Sequence, residues 1–177
     1  AVIHLSPLLS DRGVSPRSAA YAVSILGGAS LLGRLLTGHL LDRFFGPWVS
    51  SFLLSTSGCG ILLLISAQSL EIGIVAAFLI GFGMGGESDV VPYLLSRYFG
   101  LRSFSSLYGF TWTAYAVATA LSSVLMGRIF DLTGSYYSLL TQLALLTFVA
   151  AGLMLLMRRY PVEQTSGTRA ESAAVSA

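Results

Sequence analysis

Residues 139–157 read LLTQLALLTFVAAGLMLLM, a run that contains no charged side chain. An α-helix needs about 20 apolar residues to cross the hydrocarbon core of a bilayer. A helix of a soluble bundle would also carry a polar stripe along one side, and this run has almost none. The run therefore predicts a transmembrane helix.

Four further apolar segments of similar length precede this one, and together they define the organisation of the chain. Each is bounded by charged or turn-forming residues. The five predicted spans are 18–41, 47–67, 72–95, 104–127 and 136–157. The predicted fold class is all-α, a polytopic membrane helix bundle. The stretch 160–177 is rich in Ser, Ala, Thr and Glu, which predicts a disordered tail.

The composition excludes several soluble classes. Of the 177 residues, 54% are hydrophobic and 10% are charged, and the mean hydropathy is +0.77. A soluble domain carries about 25% charged residues. All ten basic residues are Arg, scattered along the chain without a basic stripe, so we expect no nucleic-acid partner. The single cysteine, Cys59, excludes an intramolecular disulfide framework and CxxC chemistry.

The distribution of Arg between the loops predicts the orientation. With five spans, the loops alternate between the two sides of the membrane. One side holds Arg43, Arg97, Arg102, Arg158, Arg159 and Arg169, and the other holds Arg12, Arg17 and Arg128. Because basic residues favour the cytoplasmic side, we expect a multi-pass protein of the cell membrane with a cytoplasmic carboxyl terminus.

An internal repeat divides the predicted spans into two groups. Pro7 and Pro92 each precede a Leu-Leu-Ser sequence, either directly or after one further residue, and they are 85 residues apart. A Gly-x-x-x-Asp pattern at 38–42 recurs at 127–131, 89 residues later. We interpret the chain as two three-helix units of opposite polarity, an arrangement typical of secondary transporters.

The first of these units is shorter than the second. Only a stub at 1–9 stands where the second unit has a complete span, 72–95. We therefore expect 1–159 to be a six-helix half whose first helix is truncated.

Residues 33–46, GRLLTGHLLDRFFG, resemble the Gly-x-x-x-Asp-Arg-x-x-Gly loop signature of the major facilitator superfamily. The chain without its tail resembles the carboxyl-terminal half of that twelve-helix fold. Within the superfamily it is most similar to the monocarboxylate transporters and the oxalate–formate antiporters. The residues that carry this similarity are His4, Pro7, Asp11, Gly13, Ala19, Ala20, Gly33, Arg34, 92–100, Tyr108 and Gly109.

The resemblance implies a function and partners. It implies a secondary active transporter of a small organic anion, monocarboxylate-like, that works by alternating access. Its partners would be the anion, a proton, the lipid bilayer and the missing amino-terminal half of the same transporter. The alternative is a non-transporting membrane remnant, or a subunit that requires a partner half.

The loop signature contains three candidate gating residues. Gly38 is small enough to let a neighbouring helix approach closely. Asp42, beside Arg43, can accept hydrogen bonds from a helix amino terminus and pair with an Arg across an interface. Such contacts exist only while the cytoplasmic mouth is closed. The pattern therefore predicts a gate latch, meaning a contact that stabilises the closed state. A plain turn with solvated charges is the alternative.

Arg34 lies inside the first span, about 10 Å from its end at 1.5 Å per residue. A charge at the centre of an inserted helix costs about 2.5 kcal/mol or more, so its presence indicates function. A guanidinium can bind a carboxylate through two hydrogen bonds. The resemblance implies that Arg34 binds the substrate anion. Alternatively, Arg34 extends to the cytoplasmic surface, or it only pairs with Glu87 or Asp89.

Glu87 and Asp89 are the candidate coupling residues. Monocarboxylate transporters have an Asp one turn before the matching Arg, whereas this sequence has Ser30. Burial disfavours the ionised form of a carboxyl group, so Glu87 or Asp89 could carry the coupled proton instead. Alternatively, one of them neutralises Arg34 and the other caps a kink in its glycine-rich helix.

Aromatic residues in the fourth span recur at helical spacing. Tyr108, Trp112 and Tyr115 share one helix face, and Trp112 and Tyr115 are candidates for lining the substrate cavity. Ordinary packing within the bundle is the alternative. Where the oxalate antiporters have a Lys, this sequence has Tyr115, so the resemblance does not extend to dicarboxylate binding.

Three other patterns indicate no catalysis and no cofactor. Gly81-x-Gly83-x-x-Gly86 fits a dinucleotide fingerprint, but no strand precedes it. We interpret these glycines, and those at 27–28 and 58–60, as close-packing or bending points. His4 and His39 are isolated from other metal ligands. We therefore predict no metal site, no cofactor and no enzyme activity.

Overall fold

The computed structural model describes residues 16–67, 69–133, 137–158 and 160. Within this part of the chain the regular structure is entirely helical, which confirms the all-α membrane bundle. The helices are α1 Pro16–Arg43, α2 Gly46–Ser66, α3 Leu70–Phe99, α4 Phe104–Thr133 and α5 Tyr137–Leu155. The predicted stub at 1–9 lies outside the described residues, as does the predicted tail except for Tyr160.

The five helices are all long and apolar enough to cross a membrane, judged by length and composition. The largest difference from the predicted spans is in α4, which continues to Thr133 rather than ending at 127. The hydropathy pattern ends the span before Arg128. The helix continues because 128–133 contains no Gly or Pro to interrupt its backbone hydrogen bonds.

The ends of α3 follow from local sequence. The Ser69 side chain precedes the helix and accepts a hydrogen bond from the backbone N–H of Ile72. This bond satisfies one of the free N–H groups of the first turn. At the other end the chain turns at Gly100, whose φ of +70° is a backbone conformation that favours glycine. These signals fix α3 as a continuous helix that contains every residue from Glu71 to Arg97.

α3 is the central helix of the bundle. It packs along α1 on one side and along α2 on another, while α5 packs on α2 and α4 touches α3 only lightly. One buried apolar cluster joins α1, α2, α3 and α5, and a second joins α1, α2 and α3. The first contains Leu26, Ile61, Leu64, Ala76, Ala77, Ile80, Leu140 and Ala144, and the second Leu41, Val49, Leu53, Val90 and Leu94.

Glycines let α1 and α3 approach until their backbones touch. A Cβ added at Gly81 would overlap the backbone carbonyl of Leu26, and one added at Gly85 would overlap that of Ser30. Gly33 makes the matching contact from α1 to the backbone of α3. In a membrane the packing of small residues, rather than hydrophobic burial, drives helices together. This contact therefore fixes the α1–α3 crossing.

Two more glycines bring α2 and α3 together. A Cβ on Gly83 would lie 2.6 Å from the carbonyl oxygen of Leu53, and one on Gly60 would lie 2.8 Å from Cγ1 of Ile80. The close-packing interpretation of the Gly81–Gly86 motif is thus confirmed. The spacing that resembles a dinucleotide fingerprint arises because glycines on two sides of one helix pack against two different helices.

The two remaining glycine pairs differ in their surroundings. A Cβ on Gly58 would lie 3.0 Å from the ring of Phe148 in α5. No described atom comes within 4 Å of a Cβ placed on Gly27 or Gly28, so these two glycines make no close contact within the part of the chain that the structure describes. Both residues are exposed on α1.

The chain after α5 folds against the bundle end formed by α1 and α3. The Tyr160 hydroxyl accepts a hydrogen bond of 2.9 Å from the backbone N–H of Gly46, and its ring centroid is 4.9 Å from that of Phe45. The Tyr98 hydroxyl donates to the carbonyl of Arg158. Burial raises the pKa of the Tyr160 hydroxyl above its ordinary value. The ends of α1, α3 and α5 therefore meet at one end of the bundle.

Replacing Gly85 by Ala tests the backbone contact between α1 and α3. We expect Gly85→Ala to destabilise the full-length protein by about 1–3 kcal/mol, because the added methyl group overlaps the Ser30 carbonyl. Thermal unfolding in detergent measures the effect. The control is Gly28→Ala, also in a helix but with open space around the new methyl group. Equal stability of the two variants would contradict the close crossing.

Candidate functional site

Arg34 and Asp89 form an ion pair across the α1–α3 crossing. The distance from Arg34 Nε to Asp89 Oδ2 is 3.6 Å, and the side chains are 55% and 40% exposed. This is the only salt bridge among the residues that the structure describes. The pair lies next to the contact of Gly33 with α3, so the glycine crossing brings the two charges together. Of the two carboxylates proposed as partners of Arg34, the structure pairs it with Asp89.

Glu87 lies on a different side of α3. Two residues along a helix correspond to a rotation of about 200°, so Glu87 and Asp89 point in nearly opposite directions. Glu87 faces α4, and it makes no hydrogen bond or ion pair with any other residue described. The two candidate coupling residues are therefore separated by the helix that carries them.

A cavity of about 250 Å³ lies between α3 and α4. Four residues from each helix, spaced over successive turns, line it. They are Met84, Glu87, Ser88 and Val91 from α3, and Tyr108, Thr111, Trp112 and Tyr115 from α4. Glu87 is the only charged side chain among them. The candidate substrate residues Trp112 and Tyr115 thus share a cavity with one of the candidate coupling residues.

The aromatic residues of α4 form a continuous edge-to-face series on this cavity. The ring centroids of Tyr108 and Trp112 are 6.1 Å apart at an interplanar angle of 88°. Those of Trp112 and Tyr115 are 5.5 Å apart at 77°. Trp112 remains 51% exposed and Tyr115 59%, so their rings are not filling a closed core. The predicted aromatic face exists, and it is open to the cavity.

Ser88 lies between the two acidic residues on the accessible side of α3. It is rotated about 100° from each of them. On the opposite side of the helix, Gly86 and Val90 pack against side chains of α1 and α2. A ligand that reaches from the Arg34–Asp89 pair toward the cavity must therefore pass over Ser88.

The gating candidates lie at the end of α1, away from both sites. Gly38, Asp42 and Arg43 are exposed. Neither Asp42 nor Arg43 forms an ion pair with another residue in the described ranges. A Cβ on Gly38 would meet no described atom within 4 Å. The structure therefore leaves the side chains of Asp42 and Arg43, and the surface at Gly38, free for contacts outside this set of residues.

Sequence reasoning missed the residues that position this end of α1. The Tyr93 hydroxyl donates to the carbonyl of Leu41, one residue before Asp42, at 3.4 Å. Arg97 lies 5.4 Å from the centre of the Tyr93 ring. The Tyr160 hydroxyl accepts a hydrogen bond from the backbone N–H of Gly46, at the start of α2. Tyr93 and Arg97 lie in the stretch 92–100 that carries the resemblance, but the sequence assigned them no contact with α1, because each contact joins segments that are distant in the sequence.

The structure shows no arrangement suited to a metal ion in the part of the chain it describes. No group of three or more His, Cys, Asp or Glu side chains comes together there. His39 is exposed on α1, and Cys59 is an exposed free thiol on α2. His4 lies outside the described residues.

Comparison with known proteins places the chain among transporters. Residues 1–176 match the family model of the Major Facilitator Superfamily. The chain is 30% identical to monocarboxylate transporter 12 of Homo sapiens over 138 residues, which are 76% of this chain and 27% of that protein. It is 28% identical to monocarboxylate transporter 2 of Homo sapiens over 139 residues, 76% of this chain and 29% of that protein.

A third relative matches over a longer stretch. Monocarboxylate transporter 13 of Rattus norvegicus is 29% identical over 156 residues, which are 87% of this chain and 35% of that protein. The chain therefore spans about a third of the length of the curated relatives it matches.

Proposed function

The chain belongs to the Major Facilitator Superfamily, and we propose that it forms part of a secondary active transporter of a small organic anion of the monocarboxylate class. It is a multi-pass membrane protein of a transporter family. The substrate class is proposed from the three relatives, whose names call them monocarboxylate transporters. Nothing in the structure favours the alternative, a non-transporting remnant or subunit.

The observation that supports an anion substrate most directly is the Arg34–Asp89 pair. A distance of 3.6 Å exceeds the usual 2.7–3.2 Å of an N–H···O hydrogen bond, so the two groups are in ionic contact without a tight bond. Both side chains are also accessible. A substrate carboxylate can therefore replace Asp89 on the guanidinium and form the bidentate contact that the present pair lacks.

The same pair offers a route for proton coupling. When Asp89 takes up a proton, its charge is lost and Arg34 is left without a counter-ion. Arg34 then binds an anionic substrate more strongly, so one proton and one anion enter together. Asp89 thereby replaces the acidic residue that the resemblance places at Ser30. We assign coupling to Asp89 rather than Glu87 because only Asp89 contacts Arg34.

Gating is proposed at the end of α1. Asp42 and Arg43 are exposed there and have no partner among the residues described. Gly38, one turn earlier, leaves space for a helix to approach. We propose that the amino-terminal half of the transporter supplies this helix and closes the mouth against Asp42 in one of the two alternating states.

An orientation in the cell membrane is proposed from the same end of the bundle. The segments carrying Arg43, Arg97 and Arg158 meet there through the contacts of Tyr93, Tyr98 and Tyr160. Because Arg is enriched on the cytoplasmic side, we propose that this end and the carboxyl terminus are cytoplasmic. Alternating access would then open the Arg34 site to each side in turn.

Replacing Arg34 by Lys tests the anion site. We expect Arg34→Lys to raise the KM for small carboxylates about tenfold, because an ammonium group cannot form the planar, two-bond contact. Uptake of labelled carboxylates by the full-length protein in proteoliposomes measures this. Arg128→Lys, an exposed change in α4 near the opposite bundle end, should retain the wild-type KM. A wild-type KM in Arg34→Lys would contradict the assignment.

Replacing Asp89 by Asn tests the coupling residue. The amide is neutral at every pH, so we expect uptake by Asp89→Asn to lose the increase that external acid causes in the wild type. Asp89→Glu should restore this increase. Glu87→Gln should keep the proton dependence, because Glu87 does not contact Arg34. The measurement is uptake at a series of external pH values. An unchanged pH profile in Asp89→Asn would exclude Asp89 from coupling.

Replacing Asp42 by Asn tests the gate. We expect turnover to fall roughly fivefold, the effect of losing about 1 kcal/mol from one exposed ion pair in the closed state. Substrate binding should stay intact, since Asp42 is more than two helical turns from Arg34. Turnover is measured by uptake and affinity by equilibrium binding on the same full-length variant. Unchanged turnover would reject the latch.

A further inference from the structure

We infer that the cavity between α3 and α4 binds an organic ammonium group, with Glu87 as its counter-charge and the aromatic rings of α4 as its walls. This site is distinct from the Arg34–Asp89 pair, which binds an anion in the proposed function. The inference depends on the charge, the hydrogen-bonding capacity and the aromatic lining of the cavity.

The cavity contains an acidic group that has no basic partner among the residues described. Glu87 is its only charged lining residue, and Arg34 is already paired with Asp89 on another side of α3. An ionised carboxylate at membrane depth, without a basic partner, is costly. A cationic ligand in the cavity supplies the counter-charge that stabilises the ionised form of Glu87, whereas a carboxylate ligand leaves Glu87 without one.

The hydroxyl groups beside Glu87 are also arranged as acceptors. The Ser88 hydroxyl donates its proton to the carbonyl of Met84, and the Thr111 hydroxyl donates to the carbonyl of Leu107. A hydroxyl has one proton to donate but two lone pairs that accept. The oxygens of Ser88 and Thr111 can therefore accept hydrogen bonds from a ligand in the cavity. Together with the Glu87 carboxylate, they favour a ligand that donates protons or carries positive charge.

Three of the four α4 residues that line the cavity are aromatic. Tyr108, Trp112 and Tyr115 present a continuous series of rings to the cavity, and Trp112 and Tyr115 are both more than half exposed. A cation within about 6 Å of an aromatic ring is attracted to the negative face of the ring, and Trp provides the strongest such contact. Aromatic rings combined with one carboxylate are well suited to bind ammonium groups, including quaternary ones.

The ammonium group can come from two sources. It can be the far end of the transported carboxylate, which would reach from Arg34 over Ser88 into the cavity. It can also belong to a separate organic cation. The geometry of α3 limits which carboxylates can be the first source, because Glu87 and Asp89 are related by a rotation of about 200° and point to nearly opposite sides of the helix. Only a carboxylate with a distant ammonium group could contact both sites.

Binding of radiolabelled tetramethylammonium to the full-length protein in proteoliposomes tests the cavity itself. We expect saturable binding that becomes about tenfold weaker in Glu87→Gln, which removes the charge and keeps the shape. Glu87→Asp should retain part of the affinity, and Trp112→Leu should weaken it. The controls are Glu71→Gln, an exposed acid at the start of α3, and Trp48→Leu, the other tryptophan of this chain.

Uptake of two matched carboxylates identifies the source of the ammonium group. One is pentanoate ending in a trimethylammonium group, and the other is the same acid ending in uncharged tert-butyl. If the cation belongs to the substrate, the charged acid is preferred, and Glu87→Gln abolishes this preference without changing uptake of the tert-butyl acid. If tetramethylammonium binds but the two acids are taken up equally, the cation is a separate ligand.

The two proposals fail in different ways. Tetramethylammonium binding that is absent or unaffected by Glu87→Gln, together with equal uptake of the two acids, overturns the cation site. In that case, sensitivity of the tert-butyl acid to Arg34→Lys would still support the anion transporter. Conversely, binding of tetramethylammonium that depends on Glu87, without uptake of any carboxylate, would support the cation site and reject the anion transporter.

Discussion

The contact between the backbones of α1 and α3 is the constraint on which the rest of the structure depends. Within a bilayer, apolar side chains gain little from leaving lipid for protein, so helices associate where small residues allow close packing. Gly33, Gly81 and Gly85 provide such a place, and no larger residue would fit there. The crossing brings Arg34 within ionic contact of Asp89. It also leaves a third side of α3, between its contacts with α1 and α2, free to face α4 and form the cavity.

The helical repeat of α3 directs neighbouring residues of one short stretch toward three different contacts. Residues 81–91 contribute to the α1 crossing, the α2 interface and the α4 cavity, because neighbouring residues are rotated by about 100°. Glycines occupy the two faces that touch other backbones. The acidic residues occupy positions where side chains remain accessible. A motif that looks like a loop fingerprint in sequence is thus a helix with three different sides.

The sequence predicts most of the fold and only part of the site, for physical reasons. The bilayer requires long apolar helices, so hydropathy alone locates α1 to α5 to within a few residues. The choice between Glu87 and Asp89 as partner of Arg34 depends on where two helices cross, which no local pattern records. Tyr160 contacts Gly46 across 114 residues of sequence, and nothing near either residue predicts that bond.

The replacement of an acidic residue by Ser30 has a structural consequence. An Asp one turn before Arg34 would pair with it inside α1, and the distance between them would not change when helices move. Pairing with Asp89 instead joins α1 to α3. The glycine contact holds these two helices together, so the pair stays intact only while α1 and α3 move as one body. In the proposed transport cycle the pair opens when Asp89 takes up a proton, whereas the glycine contact keeps α1 and α3 together, so the two states must differ elsewhere. We propose the end of α1 near Asp42, where side chains are exposed, as that place.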